Sequence, residues 1–203
     1  MKLIGSLTSP FVRKVRIVAS EKHIDYDFVL DIPWNEDTRV PEFNPLGKVP
    51  VWVMDDGKTL MDSRVIVEYL DGVSPAGHVL PKDARQRINV KRWEALADGV
   101  TDAAAAIFLE RKRPARQQDP KWIERQMGKI RAGLAAMSGD LGMQTWCTGE
   151  FFTLADICLG CCLGYLEFRF PEYDWRREQP NLSELYDRLM QRQAFKDTVP
   201  VAT

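Results

Sequence analysis

The chain has 203 residues, with 28 Lys and Arg against 29 Asp and Glu, a formal net charge of −1. That balance excludes the strong basic field that would hold nucleic acid or an anionic membrane by charge alone. At 45% apolar and 28% charged residues, the composition excludes a disordered chain and fits one large domain or two small ones.

Four cysteines, at 147, 158, 161 and 162, are too few and too clustered for a secreted disulfide framework. The start, Met1-Lys2-Leu3-Ile4-Gly5-Ser6, lacks the long apolar stretch of a signal peptide. The most apolar run, Ile157 to Leu166, is too short to span a bilayer and is flanked by Asp156 and Glu167. The expectation is a soluble protein of a reducing cytoplasm, with no nucleic-acid or membrane partner.

In chain order, Lys2 to Ser6 reads as a short strand. Ser9 then stands as an N-cap and Pro10 as a first helical residue, the favoured order at a helix start. Phe11, Val15 and Val18, with Val12 and Ala19 beside them, form one apolar stripe of a helix ending near Lys22. Tyr26 to Ile32 reads as a second strand. Val51 to Met54 and Thr59 to Met61 flank Asp55-Asp56-Gly57-Lys58, a hairpin with a glycine in its turn. Asp62-Ser63 caps another helix, whose buried side is expected at Val65, Ile66, Tyr69 and Leu70. The order β-α-β then β-β-α predicts helices packed on one mixed sheet.

Ser74-Pro75-Ala76-Gly77-His78 and Pro81 break the pattern. Beyond them strand-like alternation stops, and Ile88 to Arg111, Lys121 to Leu141, Leu154 to Phe168 and Leu182 to Met190 carry helical periodicity. Pro114, Pro120, Pro171 and Pro180 punctuate these helices. The predicted fold class is α+β: a first domain over residues 1–76, a linker over 77–86, and an all-α domain over 87–203.

Three segments of the first domain carry groups suited to an anionic, peptide-like ligand. Ser9 places a hydroxyl at a helix N-terminus, where free N–H groups and the positive end of the helix dipole favour negative charge; a plain N-cap accounts for it equally well. In Asn44-Pro45-Leu46-Gly47-Lys48-Val49-Pro50-Val51, a proline at a strand start demands an edge, a bend or a cis bond, leaving the Val49 amide and carbonyl open to a ligand's main chain. An ordinary turn is the alternative. In Asp62-Ser63 the hydroxyl and free amides suit a carboxylate and the Asp62 side chain suits an ammonium; here too a cap suffices.

Together these segments resemble the glutathione S-transferase superfamily, over nearly the whole chain. Ser9-Pro10-Phe11-x-x-Arg resembles the serine-type site of tau-class enzymes, where the omega class has cysteine. Asn44-Pro45-x-Gly47-Lys48-Val49-Pro50 is similar to the family's cis-proline loop, and Asp62-Ser63 to its acidic residue–Ser pair. Thr153-Leu154-Ala155-Asp156-Ile157 resembles the helix-capping motif of the family's second domain.

The resemblance implies a thioredoxin-like N-terminal domain with a four-stranded mixed sheet, followed by an all-α C-terminal domain. It implies glutathione as co-substrate, no metal, a small electrophile as second substrate, a homodimer and a detoxifying role. Residue by residue, it implies that Ser9 donates a hydrogen bond to the glutathione sulfur and that Val49, beside a cis Pro50, pairs its backbone with the cysteinyl unit. Asp62 and Ser63 would hold the γ-glutamyl ammonium and carboxylate, and Lys48 the glycyl carboxylate. Phe11, Trp34, Phe108 and Arg111 are the expected walls of the electrophile pocket; the bland alternative for the aromatics is core packing.

The implied activation is of a workable size. A hydroxyl bonded to a thiolate is worth about 1.5–3 kcal/mol and the helix N-terminus about 0.3–1 kcal/mol. If most of this selects thiolate over thiol, the thiol pKa falls by about 1.3–2.9, from about 8.5 to roughly 5.6–7.2. Neither base nor metal is needed. Ser9 as a covalent nucleophile would need an adjacent base, and His23 and His78 form no triad pattern.

Two rival functions stand beside transfer. Isomerisation of the zeta type goes with a Ser-Ser-Cys segment, from which Thr8-Ser9-Pro10 departs. A non-catalytic glutathione transferase-like binding or regulatory module would keep the fold without turnover. Cys158, Cys161 and Cys162, at i, i+3 and i+4, read as one packed helix face rather than a metal set. The cluster Arg111-Lys112-Arg113-Pro114-Ala115-Arg116 reads as a solvated helix end that is also able to steer an anionic second substrate.

Overall fold

The computed structural model describes residues 1–201 of the chain. Its first unit runs from Met1 to Leu80 and regains the chain from Gln191 onward; its second unit is Pro81–Met190.

In the first unit, β1 (Lys2–Gly5), α1 (Pro10–Glu21) and β2 (Asp27–Leu30) form a parallel β-α-β crossover, with Leu3 opposite Phe28 and Ile4 opposite Val29. A short helix α2 (Val40–Phe43) then leads to the hairpin of β3 (Val51–Val53) and β4 (Thr59–Leu60). β3 runs antiparallel to β1, pairing Val51 with Ile4, and β4 antiparallel to β3, so the sheet order is β2-β1-β3-β4. This is the mixed four-stranded sheet expected from the sequence. Helix α3 (Ser63–Val73) follows and packs with α1.

The stripe on α1 is buried at Val12, Val15, Val18 and Ala19, and Leu3, Trp52, Ile66, Val67 and Leu70 of the same unit are buried as well. Three expected core positions differ, Phe11, Val65 and Tyr69, the last of which is half-buried. Phe11 is only half-buried, because it sits in the first turn, one step round the helix from Val12. On α3 the apolar face turns toward Val67 rather than Val65, which is exposed. Gly5 lets the sheet approach α1: a Cβ there would lie 2.6 Å from a methyl of Val12.

Helix α9 (Gln193–Lys196) closes the first unit and was invisible to periodicity, being one turn long. The buried guanidinium of Arg13 holds it, donating to the Phe195 carbonyl at 3.2 Å and to Thr198 Oγ1 at 3.4 Å. Arg192 makes a two-pronged pair with Glu21 at 2.9 and 2.6 Å. The sequence-based division placed these residues with the helical domain, since nothing local distinguishes a helix that returns to an earlier unit. The Lys22 ammonium, fully buried, likewise ties α1 to the segment after α3, meeting the carbonyls of Asp71, Ala76 and Gly77 and the Asp71 carboxylate.

The second unit consists of α4 (Ala84–Arg111), a 3-10 turn at Ala115–Gln117, α5 (Pro120–Leu141), α6 (Leu154–Arg169), α7 (Trp175–Glu178) and α8 (Pro180–Leu189). Pro120 and Pro180 are first helical residues rather than breaks between helices, the position where a missing N–H costs nothing. α6 is buried nearly all round between α4 and its neighbours, and its Cys158, Cys161 and Cys162 are packed as expected. Burial pushes the Cys162 thiol up to about 12, so it stays a neutral thiol. The capping box is present: Thr153 accepts from the Ala155 N–H, and Asp156 returns to the Thr153 N–H at 2.8 Å. Cys147, which precedes this helix, donates its N–H to the same Asp156 carboxylate at 2.8 Å.

Candidate functional site

The sheet register gathers the three chemistry-bearing segments. β1 and β3 are antiparallel, so the end of β1, leading to Ser9, lies beside the start of β3, preceded by Val49-Pro50. β3 and β4 are antiparallel in turn, so the end of β4, leading to Asp62-Ser63, returns to that same end of the sheet. Ser9, Val49 and Ser63 are thus brought to one edge by topology, though they are 40 and 14 residues apart in sequence.

Ser9 is extended at φ −77°, ψ 122°, and its Oγ accepts the Val12 N–H at 3.3 Å. The cap and the anion-binding readings are therefore compatible. A hydroxyl carries two acceptor lone pairs and one hydrogen, so capping leaves the hydrogen free to be donated. The residue is half-buried, and Pro10 after it is buried.

The second segment is held by Asn44, a residue to which sequence reasoning assigned no role. Asn44 is buried; its Nδ2 donates to the Lys48 carbonyl at 2.8 Å and its Oδ1 accepts the Leu46 N–H at 3.0 Å. Its carbonyl accepts the Gly47 N–H at 2.9 Å, and Gly47 takes φ +61°, which only glycine adopts freely. The signal was in the sequence: Asn before Pro-x-Gly is a turn-forming side chain. After this loop the Val49–Pro50 bond is cis. Among the described residues neither the N–H nor the carbonyl of Val49 meets a hydrogen-bonding partner. Lys48 is exposed.

In the third segment the cap is Asp62 alone: its Oδ1 accepts the Arg64 N–H at 2.9 Å, leaving its other oxygen unbonded to that amide. Ser63 is the first helical residue, buried, and among the described residues its hydroxyl has no hydrogen-bonding partner.

The expected pocket walls are described within their own units. In the first, Phe11 is half-buried and Trp34 is 64% exposed, on a loop closed by Asp31, which accepts from Thr38 Oγ1 at 2.6 Å and from the Arg39 N–H at 3.0 Å. In the second, Phe108 is half-buried, and Arg111 is exposed and paired with Glu172 at 2.7 Å. None of the three aromatics is a fully buried core residue. Among the described residues no group of three or more His, Cys, Asp or Glu side chains is arranged to hold a metal ion, and no helix is long and apolar enough to cross a membrane.

Residues 8–73 match the glutathione S-transferase N-terminal domain family and residues 120–188 the C-terminal domain family. The chain is 42% identical over 200 residues to the uncharacterized GST-like protein YibF of Escherichia coli K12, an alignment covering 98% of each. It belongs to the glutathione S-transferase superfamily. Among solved structures of that superfamily, a glutathione S-transferase from Methylobacillus flagellatus, with GSH bound, is 52% identical, with a TM-score of 0.96 over 98% of this chain and 99% of that one. Another, from Methylobacterium radiotolerans in complex with glutathione sulfonate, is 41% identical, with a TM-score of 0.96 over 100% of this chain and 95% of that one. The glutathione S-transferase fold is therefore established across both units.

Proposed function

We propose that this chain binds glutathione at the Ser9–Val49–Ser63 edge and transfers its thiolate to a small electrophilic carbon. The observation that carries the reading is the state of these groups. Ser9 caps its helix with an acceptor lone pair and keeps its hydrogen for donation, while Val49 offers an amide and a carbonyl side by side. That pair suits the backbone of a cysteinyl residue, which needs one donor and one acceptor. Ser63 and the N-terminus of α3 suit the γ-glutamyl carboxylate, the open oxygen of Asp62 its ammonium, and exposed Lys48 the glycyl carboxylate. The glutathione and glutathione sulfonate in the two similar structures support the same ligand here.

In the reaction, the Ser9 hydroxyl and the α1 N-terminus stabilise the sulfur as thiolate. The sulfur lone pair forms the new C–S bond. The leaving group departs with its bonding pair or, in addition across an activated double bond, the adjacent carbon takes a proton from water. Ser9 stays uncharged throughout, which separates this chemistry from thiol exchange through a mixed disulfide. The enzyme acts in a reducing cytoplasm as a homodimer, which sedimentation at micromolar concentration checks.

Calorimetric titration with reduced glutathione at neutral pH tests the reading. The expected result is saturable binding at up to about millimolar ligand, one site per chain. No heat of binding overturns it and favours a non-catalytic module that has kept its motifs as caps and turns.

A further inference from the structure

Strand β2 lies at the outside of the sheet: in the order β2-β1-β3-β4 it pairs with β1 alone. The Asp27 N–H donates to the Met1 carbonyl at 3.1 Å and the Asp31 N–H to the Gly5 carbonyl at 3.0 Å. Alternate residues of a parallel strand turn their backbone groups to the same neighbour, so Phe28 and Leu30 turn theirs away from β1. Among the described residues nothing meets those two amides and two carbonyls. The side chains beside them are open as well, Val29 at 39% and Leu30 at 53% exposure. An unpaired, partly apolar strand is a template for another extended segment.

The edge is also strongly charged. Residues 25–37 contain five carboxylates, Asp25, Asp27, Asp31, Glu36 and Asp37, and no Lys or Arg, in a chain whose net charge is −1. Asp25, Asp27, Glu36 and Asp37 are exposed, and among the described residues none of them forms an ion pair. The cations against the strand are Lys2, opposite Asp27 in register, and Arg16, whose guanidinium carbon lies 5.4 Å from the Phe28 ring centroid and which donates to the Asp197 carbonyl at 3.1 Å. Arg39, just beyond the segment, is paired with Glu42 at 2.7 Å.

Charge decides between occupants. A second copy laid edge to edge would set the same carboxylates against one another, whereas a strand bearing Lys or Arg meets opposite charge. By the two-residue period of a strand, Asp27, Val29 and Asp31 share one face, and Phe28 and Leu30 the other. The complement is a three-residue apolar run with a cation at each end. We infer that the outer edge of β2 docks an extended basic segment of a partner protein, of the pattern Lys-Val-Val-Val-Lys, as a fifth strand. The docking uses no residue of the proposed glutathione site and stands independently of it.

The test titrates the full-length protein with a fluorescently labelled, end-blocked Lys-Val-Val-Val-Lys peptide and its Glu-Val-Val-Val-Glu counterpart, read by anisotropy. Amide hydrogen exchange is followed by NMR in parallel. The basic peptide is expected to bind about tenfold more tightly than the acidic one, a preference that fades in high salt. Its binding should slow exchange of the Phe28 and Leu30 amides, while the Val29 amide, already turned to β1, changes little. Asp25→Asn combined with Asp27→Asn should cut the preference several-fold. Leu30→Pro deletes an outward donor, leaves the bonds to β1 in place and should weaken the basic peptide several-fold; should that variant not fold, the exchange pattern of the wild type decides. Binding of neither peptide, equal binding of the two, or binding that leaves the Phe28 and Leu30 amides exchanging freely overturns the docking edge. Protection of those amides in the protein alone, rising with its concentration, would place a second copy on the edge and overturns it too.

Discussion

Ser9 Oγ accepts the backbone N–H of Val12 at 3.3 Å, so one hydroxyl serves both the start of α1 and the edge where the candidate site gathers. Ser9→Ala removes the cap and is expected to cost about 0.5–2 kcal/mol of stability, measured by denaturant unfolding. Ser9→Cys replaces the donor by a thiol at the same helix N-terminus and should create glutathione-dependent disulfide exchange. A Ser9→Cys protein that binds glutathione yet never forms the mixed disulfide would show that the sulfur lies elsewhere.

Ser63→Ala tests the carboxylate position. The Ser63 hydroxyl meets no protein partner among the described residues, so its removal should leave stability within about 0.5 kcal/mol. Glutathione affinity should fall by about tenfold or more, the size of one lost charge-assisted hydrogen bond. Unchanged affinity would remove Ser63 from the site.

Much of this was legible in the sequence because its signals are local. Ser9-Pro10 and Asp62-Ser63 are helix starts whose chemistry lies in adjacent residues, and Thr153 with Asp156 is a box of fixed spacing. The strands of the first unit are short runs rich in apolar residues, set off by turn residues. What stayed hidden depends on distant parts of the chain. Asn44 acts through the carbonyl of Lys48, Arg13 through residues 182 and 185 positions away, and Arg169 through a ring on another helix. Spacing along the chain carries no trace of such pairings. The one-turn helices α2, α7 and α9 are too short to show a 3.6-residue period at all.

Gly5→Ala probes the close approach of β1 to α1. The added methyl would meet the Val12 side chain at 2.6 and 2.8 Å, and Val12 is fully buried with no room to yield. A loss of about 1–3 kcal/mol is expected, with glutathione affinity falling as well, because Val12 supplies the N–H that orients Ser9. Full stability in that variant would mean the strand and helix separate freely.

Asp156 couples the capping box to pH. Burial raises its pKa above the ordinary 3.8, outweighing the hydrogen bonds from Cys147 and Thr153 that act to lower it. A raised folded-state pKa means that this group's protonation contributes stability in full below about 3.8, and that the contribution is lost as pH rises through the folded value. Relative to Asp156→Asn, the wild type should therefore lose stability as pH climbs from about 3 toward neutrality. Asp156→Ala strands two buried amides, those of Cys147 and Thr153, and should cost about 2–5 kcal/mol. Unfolding curves across that pH range check both, and a wild-type-minus-Asn difference that does not change with pH would refute the coupling.

The four cysteines are free and buried, and burial holds the Cys147 and Cys162 thiols well above the usual range. A chromogenic disulfide reagent at mild alkaline pH should find almost no reactive thiol in the native protein and four after denaturation. Rapid reaction of the native protein would show that α6, or the segment before it that holds Cys147, opens far more readily than its packing implies.

The most direct test of the central claim is the pKa of the glutathione thiol in the complex, read from thiolate ultraviolet absorbance across pH for the wild type and Ser9→Ala. A bound-thiol pKa of roughly 5.6–7.2 in the wild type, rising by about 1–2 when the hydroxyl is removed, is the predicted result. A bound thiol that titrates near 8.5 in both proteins would contradict thiolate activation by Ser9.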